Sequence, residues 1–159
     1  MLAGLLRHSH DNSGADFSDG DYEGLKAMAK YYAQCGVNSF APASMTLPYD
    51  VLSKAFANAK QLKQEAPEGY SRIMGIQMEG PYFSYAKRGA QNPDYLMEPD
   101  FEGFKKLYDE ADGLLTIVDI GPVRWNLWRR QASCVPSPLP TLTAPMTMPR
   151  PLWTQVSPI

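Results

Sequence analysis

The stretch Arg72-Ile73-Met74-Gly75-Ile76-Gln77-Met78-Glu79-Gly80-Pro81 runs from a mostly apolar segment into a carboxylate and then a Gly-Pro turn. Residues 72–78 read as a short buried β-strand bounded by turn formers. A carboxylate placed directly after such a strand projects from the rim of a sheet, with Gly80 and Pro81 presetting the direction in which the chain leaves. The plainer reading of Glu79 is a solvated acid that caps a turn. The flanking segments decide what kind of sheet this strand belongs to.

Upstream, residues 21–35 place Leu25, Met28, Ala29 and Tyr32 on one helical face. Ser18 or Asp19 is the expected cap, and Gly36 suits the left-handed residue that ends a helix. Residues 37–41 form a second short apolar run that reads as a strand. Pro48 fits a first helical turn, after which Val51, Leu52, Ala55, Phe56, Ala59 and Leu62 mark one stripe and Gly69 closes the unit. Downstream, Phe101, Phe104, Leu107 and Tyr108 predict another helix, and residues 114–120 a fourth strand rich in β-branched residues.

Such alternation of strand and helix implies parallel strands with right-handed crossovers. A doubly wound sheet and a (β/α)8 barrel share that pattern, and polar placement separates them. His8 and His10, then Ser44 and Thr46, then Glu79, each follow a candidate strand, where barrel enzymes carry their catalytic groups. A dinucleotide-binding fold needs a glycine-rich turn after its first strand, and residues 8–14 do not supply one. The expected fold class is α/β, a partial (β/α)8 TIM barrel of about the first four β/α units, followed by an irregular tail.

Composition narrows the function. The net charge of −2 gives no reason to expect nucleic acid or an anionic membrane as partner. Cys35 and Cys134 lie far apart without metal-type spacing and suit a reducing cytosol, so a cytoplasmic location is expected. The opening residues 1–6 lack the charged flank of a signal peptide, and no apolar run approaches the ~20 residues of a membrane span.

Three places could carry chemistry. On an extended strand His8 and His10 point to the same side, so both imidazoles can reach one ion, and imidazole is a common ligand for zinc. The alternative is an exposed pair with no role. Glu79 is the second place. The third is the basic, then amide-rich loop Lys87-Arg88-Gly89-Ala90-Gln91-Asn92-Pro93, suited to an anionic or polyhydroxylated ligand, or else a solvated loop. Tyr82, Tyr85 and Tyr95 around it read as packing residues, and Ala43-Ser44-Met45-Thr46 as either part of a site or a turn and helix cap.

Taken together these pieces resemble one family. The His-x-His after the first strand is similar to the N-terminal metal motif of the amidohydrolase superfamily. The run from Gly36 to Thr46 resembles the strand-two signature of N-acetylglucosamine-6-phosphate deacetylases. More specific are Gly75-Ile76-Gln77-Met78-Glu79-Gly80-Pro81-Tyr82-Phe83-Ser84 and the following Lys87-Arg88-Gly89-Ala90-Gln91-Asn92, and residues 115–122 look like the family's fourth strand. The resemblance implies hydrolysis of the acetamide of N-acetylglucosamine 6-phosphate to glucosamine 6-phosphate and acetate, with a divalent metal, zinc, as cofactor. It further implies Glu79, His8 and His10 as metal ligands, and Ala90 and Gln91 at the substrate. The partner it implies is a small amino-sugar phosphate, and it admits a homodimer in the full-length family. Three positions depart from the pattern. Leu6 stands where an Asp-x-His-x-His motif begins, Asp11 where glycine is usual, and Gln91 where family members often place a histidine.

The remainder of the chain differs in kind. All acidic residues lie at or before Asp119, whereas residues 120–159 hold four arginines, no lysine and eight of the 14 prolines. The family's other metal histidines and its proton-shuttling aspartate lie on strands five to eight, yet no histidine follows His10. The expected domain limits are therefore 1–122, the N-terminal half of a barrel, and 123–159, a proline-rich tail that is disordered or a frameshifted translation. The two bases of each shifted codon that the protein sequence largely dictates permit, from Cys134 on, a peptide resembling the family's strand-five region. The competing reading is a genuine proline-rich segment that binds a partner. For the chain as written, the alternative to an active deacetylase is an inactive truncated fragment or a half-barrel interaction protein.

Overall fold

A computed structural model describes residues 4–121. In chain order these form β1 (Gly4–Ser9), β2 (Asp11–Asn12), β3 (Ala15–Asp16), α1 (Tyr22–Gln34), β4 (Val37–Ser44), α2 (Tyr49–Glu65), β5 (Arg72–Ile73), β6 (Ile76–Glu79), α3 (Phe101–Glu110) and β7 (Leu115–Asp119). The main sheet runs β1-β4-β6-β7 with every neighbouring pair parallel, and β5 pairs beside β6 on β4. The parallel α/β order expected from the alternation is therefore present. The expected tail from Val123 and the second cysteine, Cys134, lie outside the described residues.

Alternation along β6 sorts the two faces of the sheet. Ile76 and Met78 are fully buried and join Phe40, Leu52, Phe56 and Phe104 in one apolar cluster with α1, α2 and α3. Gln77 and Glu79, of opposite parity, are only partly buried. Register then aligns the polar positions: Gln77 lies opposite Ala43 on β4, and Glu79 opposite Asp119 on β7.

The sequence expectation differs from the structure at several element boundaries. The predicted strand 72–78 is two strands interrupted at Met74-Gly75, where Met74 is half exposed. A Cβ on Gly75 would lie 2.4 Å from Thr116 Oγ1, so the chain passes too close to β7 for any side chain. Helix α1 is capped by Asp21, whose carboxylate accepts the Gly24 N–H at 2.9 Å, rather than by Ser18 or Asp19, which belong to a preceding 3-10 turn capped by Asp16. Pro48 is the cap of α2 rather than its first-turn residue; Ala66 in the left-handed region ends that helix, ahead of Gly69, which is left-handed as well. The antiparallel β2–β3 pair, which has no counterpart in the sequence expectation, folds the segment after His10 back on itself.

Candidate metal centre

His8 lies near the end of β1, His10 just beyond it, and Glu79 ends β6, so two parallel strands separated by β4 deliver all three to one end of the sheet. His10 Nε2 lies 3.0 Å and His8 Nε2 3.7 Å from Glu79 Oε2. The two imidazole rings stand 4.6 Å apart at 89°. A histidine or carboxylate ligand binds an ion at about 2.0–2.2 Å, which sets neighbouring ligand atoms about 3–3.5 Å apart. The His10–Glu79 separation meets that spacing, and the His8–Glu79 separation requires only a few tenths of an ångström of closure.

Hydrogen bonds on the far side of each ligand fix which atom it presents. His10 Nδ1 lies 2.9 Å from the Ala43 carbonyl, which can only accept, so Nδ1 carries a proton and, in the neutral ring, Nε2 offers its lone pair. His8 Nδ1 lies 3.2 Å from Gln77 Oε1. Glu79 Oε1 accepts the Gln91 amide at 3.0 Å, which leaves Oε2 for the histidines. The two imidazole Nε2 atoms and Glu79 Oε2 therefore face one another within 4.8 Å, a group that either a bound cation or protons on the histidines hold together. This donor set fits a divalent metal ion, with the outer hydrogen bonds that metal-ligating histidines make.

Gln91 is 5% exposed and has both ends engaged: its Oε1 accepts the Thr46 N–H at 2.8 Å while its Nε2 reaches Glu79. Its neighbour Ala90 is exposed. Arg88 folds onto its own loop, donating to the Tyr85 carbonyl at 2.8 Å with its guanidinium 4.3 Å above the Tyr85 ring, while Lys87 is exposed. Among the tyrosines, Tyr82 is fully buried and shares a 2.5 Å hydroxyl contact with Tyr49, as a packing residue should, whereas Tyr85 and Tyr95 are exposed. Thr46 is buried against Gly80 and Gln91.

Two residues near the cluster were not singled out as site residues by the sequence. Gln77 links His8 to Asp119, donating from Nε2 to Asp119 Oδ2 at 2.6 Å. Burial pushes the Asp119 carboxyl above its ordinary value, the Gln77 amide opposes that rise, and the nearby charge of Glu79 adds to it. The available signal was parity, since Gln77 stands two residues before Glu79 and is polar within an otherwise apolar strand. Away from this centre, a cleft of about 400 Å3 lined by Leu62, Lys63, Tyr70 and Arg72 lies at the opposite strand end, beside β5. Among the described residues no helix is long and apolar enough to cross a membrane.

Fold and site together describe an α/β chain with a His/His/Glu group at the carboxyl ends of parallel strands. Over the N-terminal three quarters of its length the chain is related to N-acetylglucosamine-6-phosphate deacetylases. It is 33% identical over 125 residues to that protein of Bacillus subtilis, an alignment covering 77% of this chain and 32% of the relative. It is 28% identical over 115 residues to N-acetylgalactosamine-6-phosphate deacetylase of Escherichia coli O157:H7, covering 72% and 30%. The fold matches a crystal structure of N-acetylglucosamine-6-phosphate deacetylase from Thermotoga maritima with a TM-score of 0.67 at 22% identity, over 84% of this chain and 35% of that one. The chain thus spans about a third of the length of the curated relatives it matches. No protein-family model matches it.

Proposed function

We propose that this chain carries the first four β/α units and the amino-terminal metal ligands of an N-acetylglucosamine-6-phosphate deacetylase, a cytoplasmic (β/α)8-barrel amidohydrolase. The reaction is hydrolysis of the acetamide of N-acetylglucosamine 6-phosphate to glucosamine 6-phosphate and acetate. His8, His10 and Glu79 hold the ion, which is zinc. A bound divalent ion supplies Lewis acidity towards the amide carbonyl and brings the pKa of a water to about 7. The chain's own residues orient that centre: Ala43 and Gln77 set the histidines, and Gln91 sets Glu79 while bordering the substrate loop at Ala90. The observation that carries the reading is the grouping of His8 Nε2, His10 Nε2 and Glu79 Oε2, three possible ligand atoms within 4.8 Å of one another.

A second reading is favoured by the absence of any histidine after His10 and of any acid after Asp119. On that reading the 159-residue chain binds metal but lacks the groups that complete catalysis. One experiment separates them: zinc titration and acetate release from N-acetylglucosamine 6-phosphate, for the chain and for Glu79→Ala. Stoichiometric zinc binding that Glu79→Ala abolishes supports the metal centre, and its absence refutes it. Zinc-dependent acetate release above the Glu79→Ala control assigns the activity to this chain, whereas zinc binding without turnover assigns the non-catalytic reading. The N-acetylgalactosamine 6-phosphate epimer tested alongside settles the sugar. For residues 123–159 the composition break supports a frameshifted origin. A coding sequence whose shifted frame stops at once, or encodes nothing like the relatives, refutes that origin in favour of a partner-binding proline-rich segment.

A further inference from the structure

We propose that Gln77 and Asp119 form a positioning relay that dictates which nitrogen of His8 is free to bind a cation. The inference rests on the metal reading only for its consequence, since the relay itself is a matter of hydrogen-bond polarity. Asp119 Oδ2 lies 2.6 Å from the terminal amide of Gln77. A carboxylate oxygen facing an amide at that distance requires the NH2 end, because the reversed amide would set two acceptors against each other. Gln77 Oε1 is thereby turned to His8 Nδ1 at 3.2 Å, and an amide oxygen can only accept. Neutral His8 must then carry its proton on Nδ1 and present the Nε2 lone pair, the atom that faces Glu79 at 3.7 Å. His10 reaches the same state by a different route, through the backbone carbonyl of Ala43. One histidine is thus set by backbone, and the other by a side-chain polarity that can be changed by mutation.

The two histidines are the only ones in the chain, so imidazole 15N spectra of the full-length, metal-free protein at alkaline pH resolve both. The expected result is that His8 and His10 are each protonated on Nδ1. Gln77→Met should release His8 toward the Nε2-protonated form and leave His10 unchanged, whereas a general loss of structure would move both. Gln77→Met should also weaken zinc binding about 10–100-fold, the usual effect of removing an outer-shell partner of a metal-ligating histidine. Asp119→Asn can offer Gln77 either polarity and should give a mixture of His8 tautomers, which keeps the idea testable where Gln77→Met does not fold. The exchange Gln77→Glu with Asp119→Asn restores one acceptor at His8 and one donor behind it, and should restore the Nδ1-protonated form. A wild-type His8 protonated on Nε2 overturns the relay. So does a Gln77→Met protein with an unchanged His8 spectrum or unchanged zinc affinity. Should the wild-type chain fail to bind zinc, the metal reading falls while the metal-free spectra still decide the relay.

Discussion

Replacing Gly80 by alanine tests whether the turn after Glu79 is built around the absence of a side chain. Gly80 sits at φ +85°, and a Cβ there would lie 2.1 Å from Thr46 Oγ1, 3.2 Å from Thr46 Cβ and 3.4 Å from the Phe83 ring. The left-handed backbone costs alanine about 1–2 kcal/mol. The steric clash is a separate cost. Thr46 is 1% exposed, and a β-branched side chain has little rotamer freedom with which to retreat. Relief therefore has to come from backbone movement, an overpacking cost of about 1–3 kcal/mol. Gly80→Ala should then destabilise by about 2–5 kcal/mol, a large share of the 5–15 kcal/mol typical of a domain. It should also weaken zinc binding, because the Thr46 N–H holds Gln91 and Gln91 holds Glu79. Gly89→Ala is the matched control: its φ is +62° but no atom lies within 4 Å of a built Cβ, so only the backbone cost of about 1–2 kcal/mol applies. Urea denaturation of both variants, with constant m-values, measures the difference. A Gly80→Ala protein no less stable than Gly89→Ala would refute the close approach of Thr46, as would a double mutant with Thr46→Ala that recovers nothing.

Gln91→Leu removes the acceptor of the buried Thr46 N–H and the donor to Glu79. It should cost about 1–3 kcal/mol for the unsatisfied N–H and about 10–100-fold in zinc affinity, read by urea melts and chelator competition; a neutral result would place Gln91 outside the centre. Asp119→Asn should stabilise the protein at neutral pH. Its carboxyl is raised above 3.8 in the fold, so its favourable contribution holds below 3.8 and is lost as pH rises through the folded value. The mutant's advantage in denaturation midpoint should therefore be present at pH 7 and absent at pH 3. Tyr22 donates to Glu65 across the ends of α1 and α2, holding Glu65 below its ordinary 4.5, while burial first and this bond second push the Tyr22 phenol up to about 12. The Glu65 contribution is thus present above 4.5 and lost as pH falls through its lowered folded value, and the Tyr22 contribution is present below 10 and lost as pH rises through about 12. Tyr22→Phe should lower the midpoint at pH 7 by an amount that shrinks on acidification past 4.5, and a pH-independent difference would argue against the pair.

Element types were legible because apolar spacing reports burial. Leu25, Met28, Ala29 and Tyr32 are all buried on α1, and Leu52, Ala55, Phe56, Ala59 and Leu62 on α2, as their stripes predict, while Val51 of the second stripe is only partly buried. Element ends were less legible, because they depend on contacts that spacing does not report. Glycine stands at 75, in the break, because Thr116 on another strand leaves no room for a Cβ. Asp21 rather than Asp19 caps α1 because Asp16 and Asp19 are already committed to a capping box one turn earlier. Both aspartates were suitable caps by type, and only the path of the chain after β3 chose between them.

The same distinction explains which half of the centre could be read. His8, His10 and Glu79 are polar exceptions at strand ends, and residue type alone makes them candidates. Gln77 and Asp119 gain their significance from register, since the contacts His8–Gln77 and Gln77–Asp119 span 69 and 42 residues of sequence. Pairing of Gln77 with Ala43, and of Glu79 with Asp119, puts these side chains on the face that His8 occupies. A slip of one residue in β6 would turn Gln77 and Glu79 into the apolar cluster and bring Ile76 and Met78 out. The burial of Ile76 and Met78 against the helices is therefore what holds the polar relay in place, so the apolar pattern that identifies the strand also determines the protonation pattern at its end.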